Sequence, residues 1–259
     1  MKSKSTGTII IPQGWRLIVG MLLFVASAMI FLGACSSSEE TVFPTKRESY
    51  FEVTRVMDSP GRGTEDIVFH QGFLWVTDSD RGGKIYCISP SSGDILVENQ
   101  PSFGLPGSII NFGDALIVAE KFGGTLYIIS ADEHMDIVTS YDTGLGEIRG
   151  LFRIDGVLYA YDYAERAVYE FDSNFVIVGA RYINEGVRDI KGFRYVNGQL
   201  WSAEHKYGWI NTHKSDNLHI ENEYVTHCPH PAGITWDGAS MYLGDPAGRK
   251  IYVMDISTQ

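Results

Sequence analysis

The sequence contains few cysteines: Cys35, Cys87 and Cys228 are the three in 259 residues. So few cysteines over this length do not form the dense disulfide framework of small secreted domains. We expect Cys87 and Cys228 to stay unpaired, because one lies within a predicted strand and the other in a distant loop. No stretch has sustained helical periodicity with capping residues. Without crossover helices a parallel sheet is excluded, so the sequence predicts an antiparallel all-β protein.

The sequence also lacks the motifs of common enzymes. It contains no glycine-rich phosphate loop, no nucleophile elbow, no His-Glu-x-x-His and no paired Cys-x-x-Cys. Its net charge is −11, which argues against nucleic acid as a partner because an acidic surface repels phosphate backbones. No cofactor is predicted from these residues.

The start of the chain has the pattern of a secretory signal. Lys2, Lys4 and Arg16 make it basic, and no acidic residue precedes Glu39. Residues 17–32 form a nearly unbroken apolar run, and small residues follow it. A basic start, an apolar run and small residues at the end are the three parts of a signal peptide.

The tetrad Leu32-Gly33-Ala34-Cys35 resembles the lipobox of bacterial lipoproteins. The resemblance implies that Cys35 receives a diacylglycerol, becomes the mature N-terminus and anchors the protein to the lipid bilayer of the cell envelope. The outer membrane is favoured because Ser36 is not the aspartate of the retention signal. The alternative is an uncleaved membrane anchor with an incidental cysteine. We expect a signal peptide at 1–35, a flexible polar tether at 36–48 and one folded domain at 49–259.

Five segments of the remaining chain share one layout. Each has an apolar strand, a turn with glycine, a second strand that ends in an acidic residue, and a third strand with an aromatic residue. The first strands are expected to begin at Ile67, Ile109, Leu151, Phe193 and Ile234. The second strands end at Asp78, Glu120, Asp162, Glu204 and Asp245. A period of about 40 residues with short strands predicts a five-bladed β-propeller.

Turns and termini add detail to this prediction. Asp155-Gly156, Asn197-Gly198 and Asp237-Gly238 favour two-residue hairpin turns, since both residues of such a turn need positive φ. The segment 50–55 is an extra strand before the first repeat. We predict that it completes the last blade as its outer strand and so hides the sheet edges.

In a propeller, the loops after the second strands share a face with the loops that lead into the first strands. These loops are rich in charges and aromatic residues, whereas the turns of the opposite face are short and leave little room for a site. We therefore expect a binding funnel for a small molecule or protein on the loop face. The candidate residues include Arg149, Arg188, Lys191, His205, Tyr207 and His230.

Each group of candidates has two interpretations. The acids Asp78, Glu120, Asp162, Glu204 and Asp245 either accept N–H bonds within their own turns or contact a ligand; a metal-binding ring is disfavoured by their mutual repulsion. The cations Arg149, Arg188 and Lys191 either pair with neighbouring acids or bind an anionic group.

The histidines are also open to more than one interpretation. His205 is expected to approach His230, and His227 and Cys228 lie beside them in sequence. The cluster matches no closed metal site, so ordinary loop histidines are favoured and no metal is predicted. A general-base role for His205 or His230 remains an alternative.

The last repeat, residues 231–255, resembles blades of the NHL, gluconolactonase-like and glutamine cyclotransferase-like propellers. Resemblance to the cyclotransferases implies cyclisation of N-terminal glutamine, with Glu120 or Glu204 as the acid that shuttles the proton. Resemblance to the lactonases implies a central calcium. Because no catalytic constellation is evident, we favour a non-catalytic binding lipoprotein, with a cyclotransferase first and a lactonase or lyase second as the enzymatic alternative.

Overall fold

The computed structural model describes residues 51–183 and 189–256, together with the backbone of 45–47. The predicted signal peptide with Cys35, most of the tether and the candidate Arg188 lie outside these residues. No helix within the described part of the chain is long and apolar enough to cross a membrane.

The described chain forms 21 strands in five sheets, which confirms the predicted five-bladed β-propeller. The first blade contains β3 to β6, at Thr64–His70, Phe73–Asp78, Lys84–Ile88 and Ile95–Asn99. The second contains β7 to β10, at Pro106–Phe112, Ala115–Glu120, Thr125–Ser130 and Ile137–Asp142. The third contains β11 to β14, at Ile148–Ile154, Val157–Asp162, Ala167–Phe171 and Ile177–Tyr182.

The remaining two sheets include the N-terminal strands. The fourth blade contains β15 to β18, at Ile190–Val196, Gln199–Glu204, Trp209–His213 and Ile220–Val225. The fifth contains β19 to β21 and β2, at Ile234–Trp236, Met241–Asp245, Lys250–Ile256 and Phe51–Asp58. A short 3₁₀ turn at Asp80–Gly82 follows β4.

The two N-terminal strands join different blades. Strand β2 pairs antiparallel with β21, with Asp58 opposite Lys250, so it is the outer strand of the fifth blade. Strand β1, Thr45–Arg47, pairs parallel with β18 and adds a fifth strand to the fourth blade. The polar composition of residues 45–47 predicts a flexible tether, whereas here their backbone belongs to a sheet.

Apolar residues fill the spaces between neighbouring blades. Each sheet has a blade on both sides, so both of its faces carry buried side chains. One cluster packs Val68 and Trp75 of the first blade against Ile109 of the second. Another joins Tyr242 of the fifth blade to Ile67 of the first, which closes the ring. The cores therefore lie between sheets, and the loops meet at the two ends of the axis.

The turns agree with the sequence prediction at two of three positions. Asp155-Gly156 and Asn197-Gly198 are two-residue turns with positive φ at both residues. Asp237-Gly238 is not: the connection is four residues long, 237–240, and Asp237 does not have positive φ. The side chain of Asp237 explains the difference, because its Oδ1 accepts the N–H groups of Ala239 and Ser240 at 2.8 and 2.7 Å. This bonding stabilises a wider turn.

The second strands end at the predicted acidic residues, but most first strands begin earlier than expected. Four of them start at Thr64, Pro106, Ile148 and Ile190, three residues before the apolar positions that mark them in sequence. In each of these four first strands, the pairing with the second strand shifts in register within the three added residues. Such bulges redirect the strand end, and here they place it at the rim of the axial opening.

Candidate functional site

The loop face has a cluster of charged side chains around the propeller axis, which we call the axial mouth. It is formed by residues at matching positions of the repeat, at the start of the first strands and just after the second strands. Its members are Glu65, Lys121, Arg149, Asp189, Lys191 and His205. Four blades contribute to it, so residues far apart in sequence converge at one place.

One side of the mouth is a closed network around Glu65. Lys121 Nζ lies 2.7 Å from Glu65 Oε1, and Ser79 Oγ donates to the same oxygen at 2.6 Å. Lys121 Nζ also contacts Ser79 Oγ at 3.1 Å. The side chains of Glu65 and Lys121 are largely buried, so water screens this pair less than it screens a surface pair. The charges of Glu65 and Lys121 are thus satisfied within the protein.

The opposite side is organised by Arg149. Its guanidinium donates to Glu147 Oε1 at 2.8 Å and to Asp189 Oδ1 at 3.0 Å. It also lies over the ring of Tyr163, with Cζ 3.4 Å from the ring centroid. A guanidinium held by two carboxylates and an aromatic face is well positioned and loses little entropy on further contacts. Arg149 therefore has the pairing with Glu147 that the sequence leaves open, with Asp189 as an additional partner.

Lys191 differs from the other two cations of the mouth. Among the described residues, none forms a hydrogen bond or close ion pair with its Nζ. Burial lowers the pKa of Lys191, the positive charges of Arg149 and Lys121 lower it further, and the carboxylates of Glu65 and Asp189 partly oppose this. A half-buried ammonium without a direct partner is poorly solvated and gains from contact with an anion.

His205 and His230 meet at the rim, as the sequence predicts. Their ring centroids are 5.5 Å apart, and His205 Nδ1 lies 3.2 Å from the carbonyl oxygen of His230. Burial, together with the nearby charge of Lys191, lowers the pKa of His205, which favours the neutral ring at pH 7. His230 Nδ1 is 3.8 Å from Asp245 Oδ1. The described residues contain no group of three or more ligands positioned to hold a metal ion.

Neither of the described cysteines offers a reactive thiol. Cys87 and Cys228 are both buried and free. Burial raises the pKa of Cys87 to about 11 and raises the pKa of Cys228 strongly. A buried thiol that stays protonated is a poor metal ligand and nucleophile. The loop containing His227 and Cys228 therefore contributes shape to the rim rather than sulfur chemistry.

The acids at the ends of the second strands bond to backbone. Asp162 accepts four N–H groups, with the shortest bond from Gly146 at 2.7 Å. Asp78 accepts those of Gly63 and Asp80 at 3.0 and 2.7 Å. Glu204 is completely buried and accepts three more. In these three blades such bonds join the loop before the first strand to the loop after the second strand, and they leave these oxygens little capacity to bind a ligand.

The other predicted candidates lie around the mouth rather than in it. Glu120 fits between Gly104 and Gly123, where a Cβ atom at either glycine would lie 2.2 Å from a carboxylate oxygen. Asp245 is buried and accepts the N–H of Gly248 at 2.9 Å. Tyr207 is exposed on the loop face and packs on Trp209, with ring centroids 5.0 Å apart.

Below the mouth, the axis is filled by the side chain of Arg194. Its guanidinium donates to carbonyl oxygens of all four other blades: Ile67 at 2.8 Å, Ile109 at 3.2 Å, Leu151 at 3.5 Å and Ile234 at 2.9 Å. The side chain belongs to the innermost strand of the fourth blade. One arginine therefore connects the inner strands of the five blades and blocks the axis as an open channel.

A buried carboxylate accompanies this arginine. Asp66 Oδ2 accepts Ser108 Oγ at 2.6 Å and the N–H of Ile109 at 3.0 Å, while Oδ1 lies 3.4 Å from Arg194 Nη2. Ser108 Oγ in turn accepts the N–H of Leu151 at 2.8 Å. Burial raises the pKa of Asp66 to about 6, although Arg194 and the hydrogen bonds lower it. Asp66, Ser108 and Arg194 thus form the polar floor under the mouth.

The sequence patterns described above did not reveal this floor, although the repeat contains the signal. Arg194 occupies the position at which three other blades have Val68, Ile110 and Phe152. A charged residue at a repeat position that is otherwise apolar marks a side chain with a different environment. Alignment of the five repeats by their terminal acids would have shown it.

The opposite face is less closed than its short turns predict. A cavity of about 150 Å³ lies between the fourth and fifth blades, beside Asn197. Trp201, Trp236 and Met241 contribute its apolar walls, and Arg194 reaches it from the axis. The cavity lies beside the short strand β19, which ends at Trp236.

These features define a five-bladed β-propeller with a charged axial mouth. By structure it is similar to the glutaminyl cyclase of Myxococcus xanthus, with a TM-score of 0.70, 16% identity, and coverage of 83% of this chain and 100% of that chain. It is also similar to a luciferin-regenerating enzyme, with a TM-score of 0.54, 12% identity, and coverage of 78% and 95%. These likenesses confirm the predicted resemblance in fold.

A weaker similarity is to virginiamycin B lyase from Staphylococcus aureus, with a TM-score of 0.48, 22% identity, and coverage of 76% of this chain and 67% of that chain. No protein-family model and no curated protein matches the sequence. At these identities the structural neighbours establish the architecture, and the chemistry has to be argued from the residues of this chain.

Proposed function

We propose that this protein is a lipid-anchored binding protein of the bacterial cell envelope that holds a small anionic ligand in its axial mouth. The observation that supports the ligand class is Lys191, whose ammonium is half-buried and has no direct partner among the described residues. A carboxylate provides the countercharge and hydrogen-bond acceptors that this group lacks. The anchor follows from the lipobox-like tetrad that ends at Cys35.

The surroundings of Lys191 favour selective binding. Lys121 and Arg149 are already paired, so they shape the mouth and add positive potential without competing for the ligand. Glu65 and Asp189 are held by those cations, which limits their repulsion of an incoming anion. The mouth is therefore preorganised for one anionic group, and the rest of the ligand would contact Tyr163 and His205 at the rim.

Calorimetry with the full chain in detergent tests this proposal. Acetate, succinate, glutamate and citrate are the probes. We expect at least one to bind, and Lys191→Met to weaken that binding at least tenfold. Lys206→Met is the matched control, since it removes a lysine from the same face outside the mouth and should bind like the unaltered chain. If no probe binds, or if both variants bind as the original does, the proposal is wrong.

A second candidate is glutaminyl cyclase activity, favoured by the fold similarity together with a carboxylate in the mouth. In that reaction the α-amine of N-terminal glutamine attacks its own side-chain amide carbon and ammonia leaves. Glu204 is too buried for the proton transfer that the family resemblance implies, so Glu65 is the acid in position. Ammonia release from a Gln-Ala peptide that disappears with Glu65→Gln supports this candidate. If no reaction is detected with that peptide or with lactones, in the presence or absence of chelator, the result supports a binding function without catalysis.

A further inference from the structure

A second charged surface lies on the loop face between the fifth and first blades. It is an open groove of about 640 Å³, which we call the arginine groove. Arg62, Arg81 and Arg249 line it, together with Ser79, Asp80 and Pro246. Ser79 separates it from the axial mouth, since its hydroxyl group belongs to the network of Glu65.

The positive charges of the groove are barely compensated. Within the described residues Arg62 and Arg249 form no ion pair, and Arg81 lies 3.9 Å from Asp80 in a pair whose side chains are 74% and 43% exposed. Such an exposed pair contributes little. Three arginines around one groove repel each other, and this occurs in a protein with a net charge of −11. An anionic occupant would relieve that repulsion.

Backbone conformation gives a second observation. Arg81 and Arg249 have positive φ values of 49° and 53°. At the turn position of Arg249 three other blades have glycine, namely Gly82, Gly124 and Gly208, and the third blade has Arg166 with a φ of 53°. Arginine is strained in this region whereas glycine is not. The fold therefore has arginine at a turn position where glycine satisfies three blades, beside the groove and also in the third blade.

Charge is also distributed unevenly between the two faces. The described turns of the opposite face contain a single lysine, Lys214, no arginine and many acids. These acids are Asp94, Asp114, Asp132, Glu133, Asp136, Asp155, Asp172, Asp216 and Asp237. The loop face contains most of the basic loop residues, including those of the groove. The protein is therefore polarised, and its field directs acidic partners to the loop face.

Four backbone N–H groups at the groove are already bonded within the protein. The N–H groups of Gly63 and Asp80 donate to Asp78, that of Ser79 donates to the carbonyl of Gly63, and that of Gly248 donates to Asp245. An anion in the groove would meet long, exposed guanidinium groups instead of converging N–H donors. This arrangement suits several carboxylates spread along an extended chain better than one compact phosphate.

We propose that the arginine groove docks an acidic peptide segment of a partner protein. The proposal does not depend on ligand binding in the mouth. The probe is a fluorescein-labelled peptide of eight glutamates, measured by fluorescence polarisation with the full chain in detergent. A peptide of eight glutamines is the neutral comparison. We expect the glutamate peptide to bind, and its affinity to fall at least tenfold between 20 and 200 mM NaCl, because the contacts are exposed.

The decisive variant is Arg62→Gln/Arg249→Gly, which removes two guanidinium groups and gives the turn the glycine found in three sister blades. We expect it to fold and to bind the glutamate peptide at least tenfold more weakly. Lys214→Glu lowers the net charge by the same amount on the opposite face and should leave the affinity unchanged. Equal loss in both variants would mean a general charge effect and would overturn the proposal.

Two further measurements distinguish the groove from the axial mouth and from a phosphate site. Lys191→Met should leave peptide affinity unchanged; if it abolishes binding, the peptide occupies the mouth and the groove assignment is wrong. Inorganic phosphate should displace the peptide only at the concentration at which sulfate does so through ionic strength. Displacement by phosphate alone would identify a phosphate site instead of a peptide-docking groove.

Discussion

Arg194 Nη2 lies 3.4 Å from Asp66 Oδ1 on the axis, although 128 residues separate the two in sequence. Both side chains are buried, and both hold several additional hydrogen bonds to the inner strands. A buried ion pair of this kind is costly to desolvate, but removal of one partner leaves the other charge without compensation. The pair therefore serves to position the blades around the axis, and it supports the mouth from below.

Arg194→Met is expected to destabilise the protein by about 3–5 kcal/mol, because it removes the countercharge of buried Asp66 and the donor to four carbonyl oxygens. Urea unfolding followed by tryptophan fluorescence measures this loss. Asp66→Asn/Arg194→Met should recover part of it, since no unpaired charge remains. Arg153→Met, which removes an arginine that bonds to the turn carbonyl of Gly156, should cost less than about 1 kcal/mol. Similar losses in the two single variants would contradict the axial role of Arg194.

The raised pKa of Asp66 predicts a pH dependence of stability. Folded Asp66 binds its proton below about pH 6, and the unfolded group does so below 3.8. Between these values the folded state holds more protons, so the free energy of unfolding should decrease as pH rises, by about 2–3 kcal/mol between pH 4 and 7. The comparison of the original chain with Asp66→Asn isolates this contribution, because the other titrating groups are common to both. Parallel pH profiles would show that Asp66 titrates normally.

The bonding of the strand-end acids predicts a structural role that can be separated from binding. Asp162→Ala should lower stability by about 1–3 kcal/mol, because four backbone N–H groups lose the buried carboxylate that accepts them. Ligand affinity of the folded fraction should be unchanged. Asp216→Ala, an exposed acid of an opposite-face turn, is the control and should be close to neutral. A loss of affinity with unaltered stability would instead assign Asp162 to the ligand.

The lowered pKa of Lys191 predicts how ligand affinity responds to pH. Binding of a carboxylate requires the charged ammonium, so affinity should fall as the pH rises through a midpoint below the ordinary lysine value of 10.5. Lys191→Arg keeps its charge throughout this range and should bind independently of pH. Titration calorimetry at a series of pH values provides the measurement. An unchanged affinity of the original chain up to pH 10.5 would exclude Lys191 as the main contact.

The lipobox resemblance predicts that acylation depends on one cysteine. In bacteria grown with radioactive palmitate, the original chain should be labelled and should sediment with membranes. Cys35→Ser should lose the label, because the thiol that accepts the lipid is gone. Cys87→Ser should remain labelled. Label that persists in the Cys35→Ser variant would show that attachment occurs elsewhere.

Local sequence patterns predicted most of the architecture. Each second strand ends at the acid chosen from the repeat, because a carboxylate that bonds to its own turn is a local feature. The starts of the first strands were placed too late, since bulges at the rim bring polar residues such as Glu65 into the strand. The Asp237 turn was also misjudged, because its side chain competes with the two-residue turn for backbone N–H groups. The pairing of His205 with His230 followed from the blade count, which places their loops side by side.

The amino-acid sequence by itself determined the number of blades and the strand order within each, because these depend on contacts within about 40 residues of chain. Tertiary structure alone decided which charges are paired. Lys121 bonds across blades to Glu65, Arg149 bonds to Asp189, and Lys191 is left without a direct partner among the described residues. The physical reason is that these contacts form only when the ring closes. Closure brings together side chains that no local pattern relates. It also buries them, so a charge without a partner is poorly solvated.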